Sequence, residues 1–402
     1  MKIIDRDMYL NTMIRVIDTP DIKVITGVRR AGKSKLLELF KKYIEKNIDN
    51  SNIIHINYNL KKFDNLLIGD KLYNYIADNF DENKENYVLI DEIQKCNGFE
   101  DVINSIHAEE KYHIYITGSN AFLLSSDLAT LFTGRTFEIK IYPFSFEEYM
   151  KYFNYDNQYL AFNTFMQDGG MSGSYLYKEL VDKNNYLSDI YNTLILRDIV
   201  QKYNIKNEDL LKKLSDYLLD NVSILTSSTK IENLLKSSNQ TADHKTIAKY
   251  IEYLCNAYAF YKVRRYDIKG KKYLNTQDKY YLVDTSFRRA ILGRKNEDYG
   301  RILENIVAIE LLRRGYEIYV GTLYEKEVDF VAMKNDEQIY IQVTDNLESE
   351  KVLNREITPL LNIRDGYKKI IIAKLNHEGY IKEGIEIIDI ADWLLNNRIC
   401  KF

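Results

Sequence analysis

The stretch IKVITGVRRAGKS, Ile22 to Ser34, sets the fold class of the N-terminal part of this chain. Ile22, Val24 and Ile25 form the short apolar run expected of a strand buried on both faces. Gly27 to Ser34 then match the spacing GxxxxGK[ST]. The following KLLELFKKYIEKN sets Leu36, Leu37, Phe40 and Tyr43 or Ile44 on one helical face. Strand, loop and helix therefore come in the order a phosphate-wrapping loop requires. Its glycines let backbone N–H groups turn inward, at a helix N-terminus that already favours anions. Gly27, Arg29, Arg30, Ala31, Gly32, Lys33, Ser34 and Lys35 are the expected ATP-contacting residues. Lys33 is expected at the β- and γ-phosphates, and the Ser34 hydroxyl on Mg2+.

Downstream, YVLIDE (Tyr87–Glu92) reads as a second buried strand ending in two acids. Asp91 suits the Mg2+ shell and Glu92 suits polarising an attacking water, unless Glu92 only caps the next helix. Adjacent acids on a buried strand are otherwise costly, which favours a metal. A third strand, HIYITGSN (His113–Asn120), ends in Thr117, Gly118 and Ser119, where Thr117 is a candidate contact to the γ-phosphate or the lytic water. A plain Gly-Ser turn is the alternative there. Arg135 follows Gly134 just before the strand-like EIKIY. An arginine so placed stabilises charge on a transferring phosphoryl group, in cis or from a neighbouring subunit, or else makes a surface salt bridge.

These motifs, with ITGSNAFLLSSDLATLFTGR and the YPFSFEEY after it, resemble the prokaryotic AAA-type P-loop ATPases that carry an uncharacterised C-terminal domain. The resemblance runs on through LRDIV (Leu196–Val200), KYYLVDTSFRRAILG (Lys279–Gly293), ILENIVAIELLRRGYEIYVG (Ile302–Gly321), VDFVA and YIQVT. It implies nucleotide binding at Gly27, Gly32, Lys33 and Ser34, metal and hydrolysis at Asp91 and Glu92, a sensor at Thr117 and a finger-like arginine at Arg135. GGMSGSY (Gly169–Tyr175) departs from the Gly-Gly-x-Pro-Glu usual in relatives, which bears on the local turn.

The expected fold class is α/β: an AAA/ASCE-type P-loop parallel sheet over 1–144 with a helical lid over 145–205. A winged helix-turn-helix over 206–275 and an α/β restriction-endonuclease-like, PD-(D/E)XK-type domain over 276–402 are expected after it. The lid reading rests on FEEYMKYF and LYKELVDKNNYLSDIYNTLILRDIV, which have few breakers. NEDLLKKLSDYLLDN, SSTKIENLLKSS and DHKTIAKYIEYLCNAY read as three helices, with Thr229 and Asp243 as N-caps and Ile247, Ile251 and Leu254 inward. FYKVRRYDIKGKKYL reads as a hairpin turning near Gly270. Thr229 to Tyr273 hold ten Lys/Arg and four Asp/Glu, a surplus of six. Lys245, Lys249, Arg264, Arg265, Lys269, Lys271 and Lys272 would suit DNA phosphates, although such modules also pack against proteins.

In the last third, Arg301–Arg314 reads as an amphipathic helix bearing Glu304 and closed by Gly315. KEVDFVAM with Asp329, an Asn335-Asp336 turn and QIYIQVT follow. An active nuclease of this type wants an acid and a lysine where Gln342 and Thr344 stand, so Glu304, Asp329 and Gln342 mark at most a vestigial site. A fold kept for binding or assembly is the preferred reading.

Composition bounds the rest. The 402 residues are 45% hydrophobic and 29% charged, and Lys+Arg 56 against Asp+Glu 59 leave a net charge of −3. That excludes a uniformly basic nucleic-acid protein but not a local basic segment. Cys96, Cys255 and Cys400 have no CxxC spacing and the histidines are dispersed, so no metal site is read from them. No signal peptide or membrane span is read, and a cytoplasmic protein is expected. The leading function is Mg2+-dependent ATP hydrolysis that moves DNA- or protein-binding C-terminal domains, with homo-oligomers as a further expectation. The alternatives are a non-turning ATP switch and an ATP-regulated nuclease.

Overall fold

The computed structural model describes residues 4–118, 132, 134–237, 242–293, 298–324 and 326–396. They fall into two compact units, Met1–Pro143 and Phe144–Phe402.

The first unit opens with helix α1 (Asp7–Arg15) and then alternates strand and helix. Its elements are β1 (Ile22–Thr26), α2 (Lys33–Asn47), β2 (Ser51–Asn57), α3 (Gly69–Asp78), β3 (Glu85–Asp91), α4 (Phe99–Ala108), β4 (Tyr112–Thr117) and β5 (Thr136–Lys140). The five strands form one sheet in the order β2-β3-β4-β1-β5, with every pair parallel. All five residues of β1 are buried, as a strand covered on both faces should be. Val24, Ile56, Val88, Ile90 and Ile116 share a core with Leu72 and Ile76 of α3 and Ile103 of α4. Register decides what meets at the sheet's carboxyl edge. Ile25 lies opposite Thr117, Ile90 opposite Ile116 and Asn57 opposite Asp91. The loop after Thr26, the acids after Ile90 and the end of β4 therefore emerge side by side, in the crevice where parallel sheets bind ligands.

The second unit begins with α5 (Phe146–Phe153), α6 (Gln158–Asp168) and α7 (Leu180–Ile190), a π-helical turn at Tyr191–Arg197, and α8 (Asp198–Tyr203). α5 starts at a capping box in which Ser145 and Glu148 bond each other's backbone N–H. These are the helices expected as a lid on the first unit. They belong instead to the second. α5 and α6 pack on α15 (Ile390–Leu395), and α6 and α7 pack on α12 (Thr285–Leu292). Gln158 and Tyr159 donate to Asp392, and Arg313 pairs with Glu148 at 3.6 Å. The Gly169-Gly170 corner explains why GGMSGSY keeps its glycines. Gly169 has φ +65°, and a Cβ there would sit 2.1 Å from Asp284 Oδ1. Gly170 N–H donates to Asp284 Oδ2 at 2.6 Å.

Helices α9 (Glu208–Asp220), α10 (Ser228–Ser237) and α11 (His244–Asn256) precede a hairpin of β6 (Phe260–Asp267) and β7 (Lys272–Leu282). Asp243 caps α11, with Ile247, Ile251 and Leu254 buried. Thr229 is not a cap. α10 starts a residue before it, and Ser227 Oγ accepts from Lys230 N–H at 3.2 Å. Nor does the hairpin stand as a separate wing. β6 runs parallel to β8 (Glu317–Leu323), with Arg265 opposite Val320 and Asp267 opposite Thr322. One eight-stranded sheet results, in the order β12-β13-β11-β10-β9-β8-β6-β7. Its other strands are β9 (Lys326–Lys334), β10 (Glu337–Thr344), β11 (Lys368–Ala373), β12 (Tyr380–Lys382) and β13 (Ile385–Asp389). A boundary at 275/276 falls inside β7. The cause is apolar burial: Tyr266 and Ile268 share one core with Leu323, Val331, Tyr340 and Ile371.

Helix α13 (Tyr299–Arg313) is not amphipathic as expected, since every residue from Leu303 to Leu311 is buried. It lies against β7, β8, β9 and β10. The remaining helix, α14 (Glu350–Leu361), packs on β9, β10 and β11. Among the described residues no helix is long and apolar enough to cross a membrane.

Candidate functional site

The loop between β1 and α2 is held in a shape few residues adopt. Gly27 has φ +131° and Gly32 has φ +102°. A Cβ on Gly27 would lie 2.1 Å from the Ile141 carbonyl oxygen, so only glycine fits against that neighbour. Arg30 also adopts a left-handed conformation, at φ +67°. Lys33 is buried, and its ammonium donates to the loop's own carbonyls, Gly27 O at 2.8 Å and Val28 O at 3.3 Å. Burial lowers its pKa to about 8, against the pull of Glu92 and Asp91.

Ser34, Asp91, Glu92 and Thr117 converge on this loop. Ser34 Oγ donates to Asp91 Oδ1 at 3.0 Å, and Thr117 Oγ1 donates to the same oxygen at 2.5 Å. Glu92 N–H donates to Thr117 Oγ1 at 3.2 Å. Asp91 is 1% exposed, and its second oxygen, Oδ2, has no hydrogen-bond partner among the described residues. Burial raises the Asp91 pKa, the bonds from Thr117 and Ser34 oppose that, and Glu92 adds to it. Glu92 itself sits at φ +61°, a conformation that costs a non-glycine residue about 1 kcal/mol or more. A bare, buried carboxylate oxygen beside a serine hydroxyl fits a hard cation such as Mg2+ with oxygen ligands. These groups stand together at the N-terminus of α2, with a buried ammonium, a serine hydroxyl and an unsatisfied carboxylate oxygen side by side.

Not every expected contact is brought in. Arg30 and Lys35 are exposed and Arg29 is half-buried, while Lys35 pairs with Glu38 at 2.8 Å on the surface of α2. Ser119 lies outside the described residues. Arg135 is exposed and stands at the start of β5, where its carbonyl accepts from Ile22 N–H at 2.9 Å. That is the far end of β1 from the loop, and five strand residues rise about 16 Å. The in-cis role for Arg135 fails on this distance.

In the second unit, Glu304 of α13, Asp329 of β9 and Gln342 of β10 do come together, around a residue that sequence reasoning missed. Lys279, 3% exposed on β7, donates to Glu304 Oε1 at 2.8 Å and Glu327 Oε1 at 2.7 Å. Tyr281 OH donates to Glu304 Oε1 at 2.7 Å. Asp329 N–H donates to Gln342 Oε1 at 3.2 Å, and Asp329 Oδ2 accepts from Val343 N–H at 2.8 Å. Burial and the neighbouring Glu304 hold the Asp329 carboxyl well above its usual pKa. Burial works against the Lys279 charge, but Glu304, Asp329 and Glu327 outweigh it and raise its pKa. Thr344 Oγ1 donates to Asn346 O at 3.2 Å and supplies no charge. Among the described residues no group of three or more His, Cys, Asp or Glu could hold a metal ion. The available signal was a lysine at the head of the apolar run Tyr280–Val283, two places before Tyr281 and so on its face of the strand.

Comparison with known proteins bears on both units. Residues 19–150 match the model of an AAA domain, and residues 160–298 match a domain of unknown function. An uncharacterized protein of Haemophilus influenzae is 40% identical over 397 residues, 98% of each chain. The chain belongs to the same family as this protein. An uncharacterized protein of Methanocaldococcus jannaschii is 29% identical over 97% of this chain and 88% of its own. Among solved structures, AMPPCP-bound DnaA from Aquifex aeolicus is 16% identical over 62% of this chain and 88% of its own, at a TM-score of 0.30. The S. cerevisiae Hsp104:casein complex reaches 15%, 60%, 50% and 0.30 in the same terms. Scores this low say nothing about this chain.

Two residues around the AAA-domain loop escaped the sequence reading. Gln94 Nε2 donates to Glu92 Oε2 at 2.6 Å and fixes the direction of that carboxylate. Arg6 donates to the Ala31 carbonyl in the loop at 2.7 Å, from a position ahead of the matched AAA stretch.

Proposed function

We propose that the AAA domain binds Mg2+·ATP at Gly27–Lys35 and hydrolyses it, and that the cycle drives a second unit which binds DNA. The observation carrying this reading is the convergence of Ser34, Asp91, Glu92 and Thr117 on the loop, with Asp91 Oδ2 bare. Ser34 Oγ and Asp91 would hold Mg2+, which neutralises phosphate charge when bound. Lys33 needs only to leave the Gly27 and Val28 carbonyls to reach a phosphate. Glu92, aimed by Gln94, would orient the attacking water and take its proton, and Thr117 would report on the γ-phosphate. Arg135 would stabilise the transferring phosphoryl group on a second copy of this chain, which makes a homo-oligomer part of the reading.

For the second unit, Lys245 and Lys249 are exposed on α11, and Arg264, Lys269, Lys271 and Lys272 are exposed along the hairpin. Lys236 and Lys262 are partly neutralised by Glu232 and Asp278. This surface of helix and hairpin lysines and arginines supports a DNA contact more than a nuclease site. A nuclease would need the acids of the second cluster open to metal, and Lys279 already occupies the space between Glu304 and Glu327.

Lys33→Ala tests the site. Calorimetric titration with Mg2+·ATP should show binding in the wild type and its loss in the variant, since the loop's only buried ammonium is gone. Equal affinity in the two would reject the assignment.

A further inference from the structure

Arg6 is 3% exposed although it carries a permanent charge, and its planar fork bridges two parts of the first unit. One terminal nitrogen donates to Ala31 O in the phosphate loop at 2.7 Å, and the other to Tyr142 O at 2.8 Å. The guanidinium lies over the Tyr9 ring, 4.6 Å from its centroid, and Tyr9 OH accepts from Tyr142 N–H at 3.2 Å. The loop meets the same segment a second time. Gly27 packs against the Ile141 carbonyl, and Ile141 N–H donates to Thr26 O at 2.9 Å. Residues 141–143 are the last of the first unit, and Phe144 opens the second. Ala31 stands directly before Gly32 and Lys33, so a carbonyl pinned at Ala31 fixes how the next amides point.

We propose that Arg6 is a positioning residue for nucleotide binding, tying the phosphate loop to the chain that leaves the first unit, so that ATP binding is registered at residues 141–143. The proposal rests on the reading of Gly27–Lys35 as an ATP site. Arginine is required because two carbonyls in different segments are held by two nitrogens of one rigid plane, which the single nitrogen of lysine cannot copy.

The test compares wild type, Arg6→Lys and Lys33→Ala in the full chain. Mg2+·ATP affinity, turnover at saturating ATP, thermal midpoint and amide hydrogen exchange are each measured. Arg6→Lys should bind Mg2+·ATP about tenfold more weakly, with turnover at saturation changed far less. In the wild type, ATP should slow exchange at the Ile141 and Tyr142 amides, and Arg6→Lys should lose that response while still folded. Wild-type affinity in Arg6→Lys, or weakened binding with the 141–142 response intact, would overturn the proposal. The wild-type exchange measurement needs no variant, so absence of an ATP response at 141–142 overturns it even if Arg6→Lys does not fold. If the wild type binds no ATP at all, the ATP reading itself falls. If it binds and Lys33→Ala does not, a silent Arg6→Lys sinks this inference alone.

Discussion

Lys279 and Asp91 show how differently two buried charged groups can be used. Asp91 keeps one oxygen bare beside a serine hydroxyl, whereas the Lys279 ammonium is enclosed by Glu304 and Glu327. The first arrangement leaves a buried oxygen without a partner, and the second already pairs its acids with a cation. Removing one partner of a buried pair leaves an uncompensated charge, at a cost of about 3–5 kcal/mol. Lys279→Met should therefore destabilise the second unit by about 3 kcal/mol, read as a lower urea midpoint, and adding Glu304→Gln should restore part of the loss. A Lys279→Met protein of unchanged stability would contradict the ion-pair reading. At this scale the loop residues and Asp91-Glu92 are legible in the sequence, because each belongs to a short contiguous pattern. Arg6 and Lys279 are not, because their partners lie 25 residues away in the chain: Ala31 for one, Glu304 for the other.

Elements were legible where burial is one-sided or complete within a strand, and less so where a neighbour decides the face. β1, β3 and β4 read correctly as apolar runs, and Asp243 as a cap, since both signals are local. α13 misled because its polar residues are themselves buried: Glu304 on Lys279, Asn305 on the Leu282 backbone, and Glu310 on Arg313 and Arg314. The corner joining α6 to α12 was invisible for a similar reason. Gly169 and Gly170 face Asp284, which lies 114 residues beyond Gly170, and Asp284 also accepts from Ser286 N–H at 3.0 Å. Asp284→Ala would leave those buried donors unpaired, at about 1–3 kcal/mol each. We expect a drop of at least about 2 kcal/mol in the unfolding free energy of the second unit, and an unchanged denaturation curve would refute the corner's role.

At the scale of the molecule, the net charge of −3 averages unlike parts. Thr229–Tyr273 carry a surplus of six positive charges, so the rest of the chain carries a deficit of nine. The split at 143/144 and the helices of 145–205 belonging to the second unit were not legible, because α5, α6 and α7 look like any helices until α12 and α15 are in place. Nor was the merging of hairpin and C-terminal strands, which depends on β6 finding β8 some 50 residues later. If the basic surface contacts DNA phosphates, Lys245→Glu with Lys249→Glu should weaken duplex binding. It should also flatten the dependence of log affinity on log salt by about two contacts, read by fluorescence anisotropy. Unaltered affinity and slope would move the partner from DNA to protein.

In the proposed cycle, Glu92 directs water onto ATP held by Gly27–Ser34 and Asp91. Parallel measurement of Mg2+·ATP binding and phosphate release by wild type and Glu92→Gln tests it most directly. The variant should bind ATP at least as tightly as the wild type and release phosphate at least about a hundredfold more slowly. Equal phosphate release by the two proteins would contradict it.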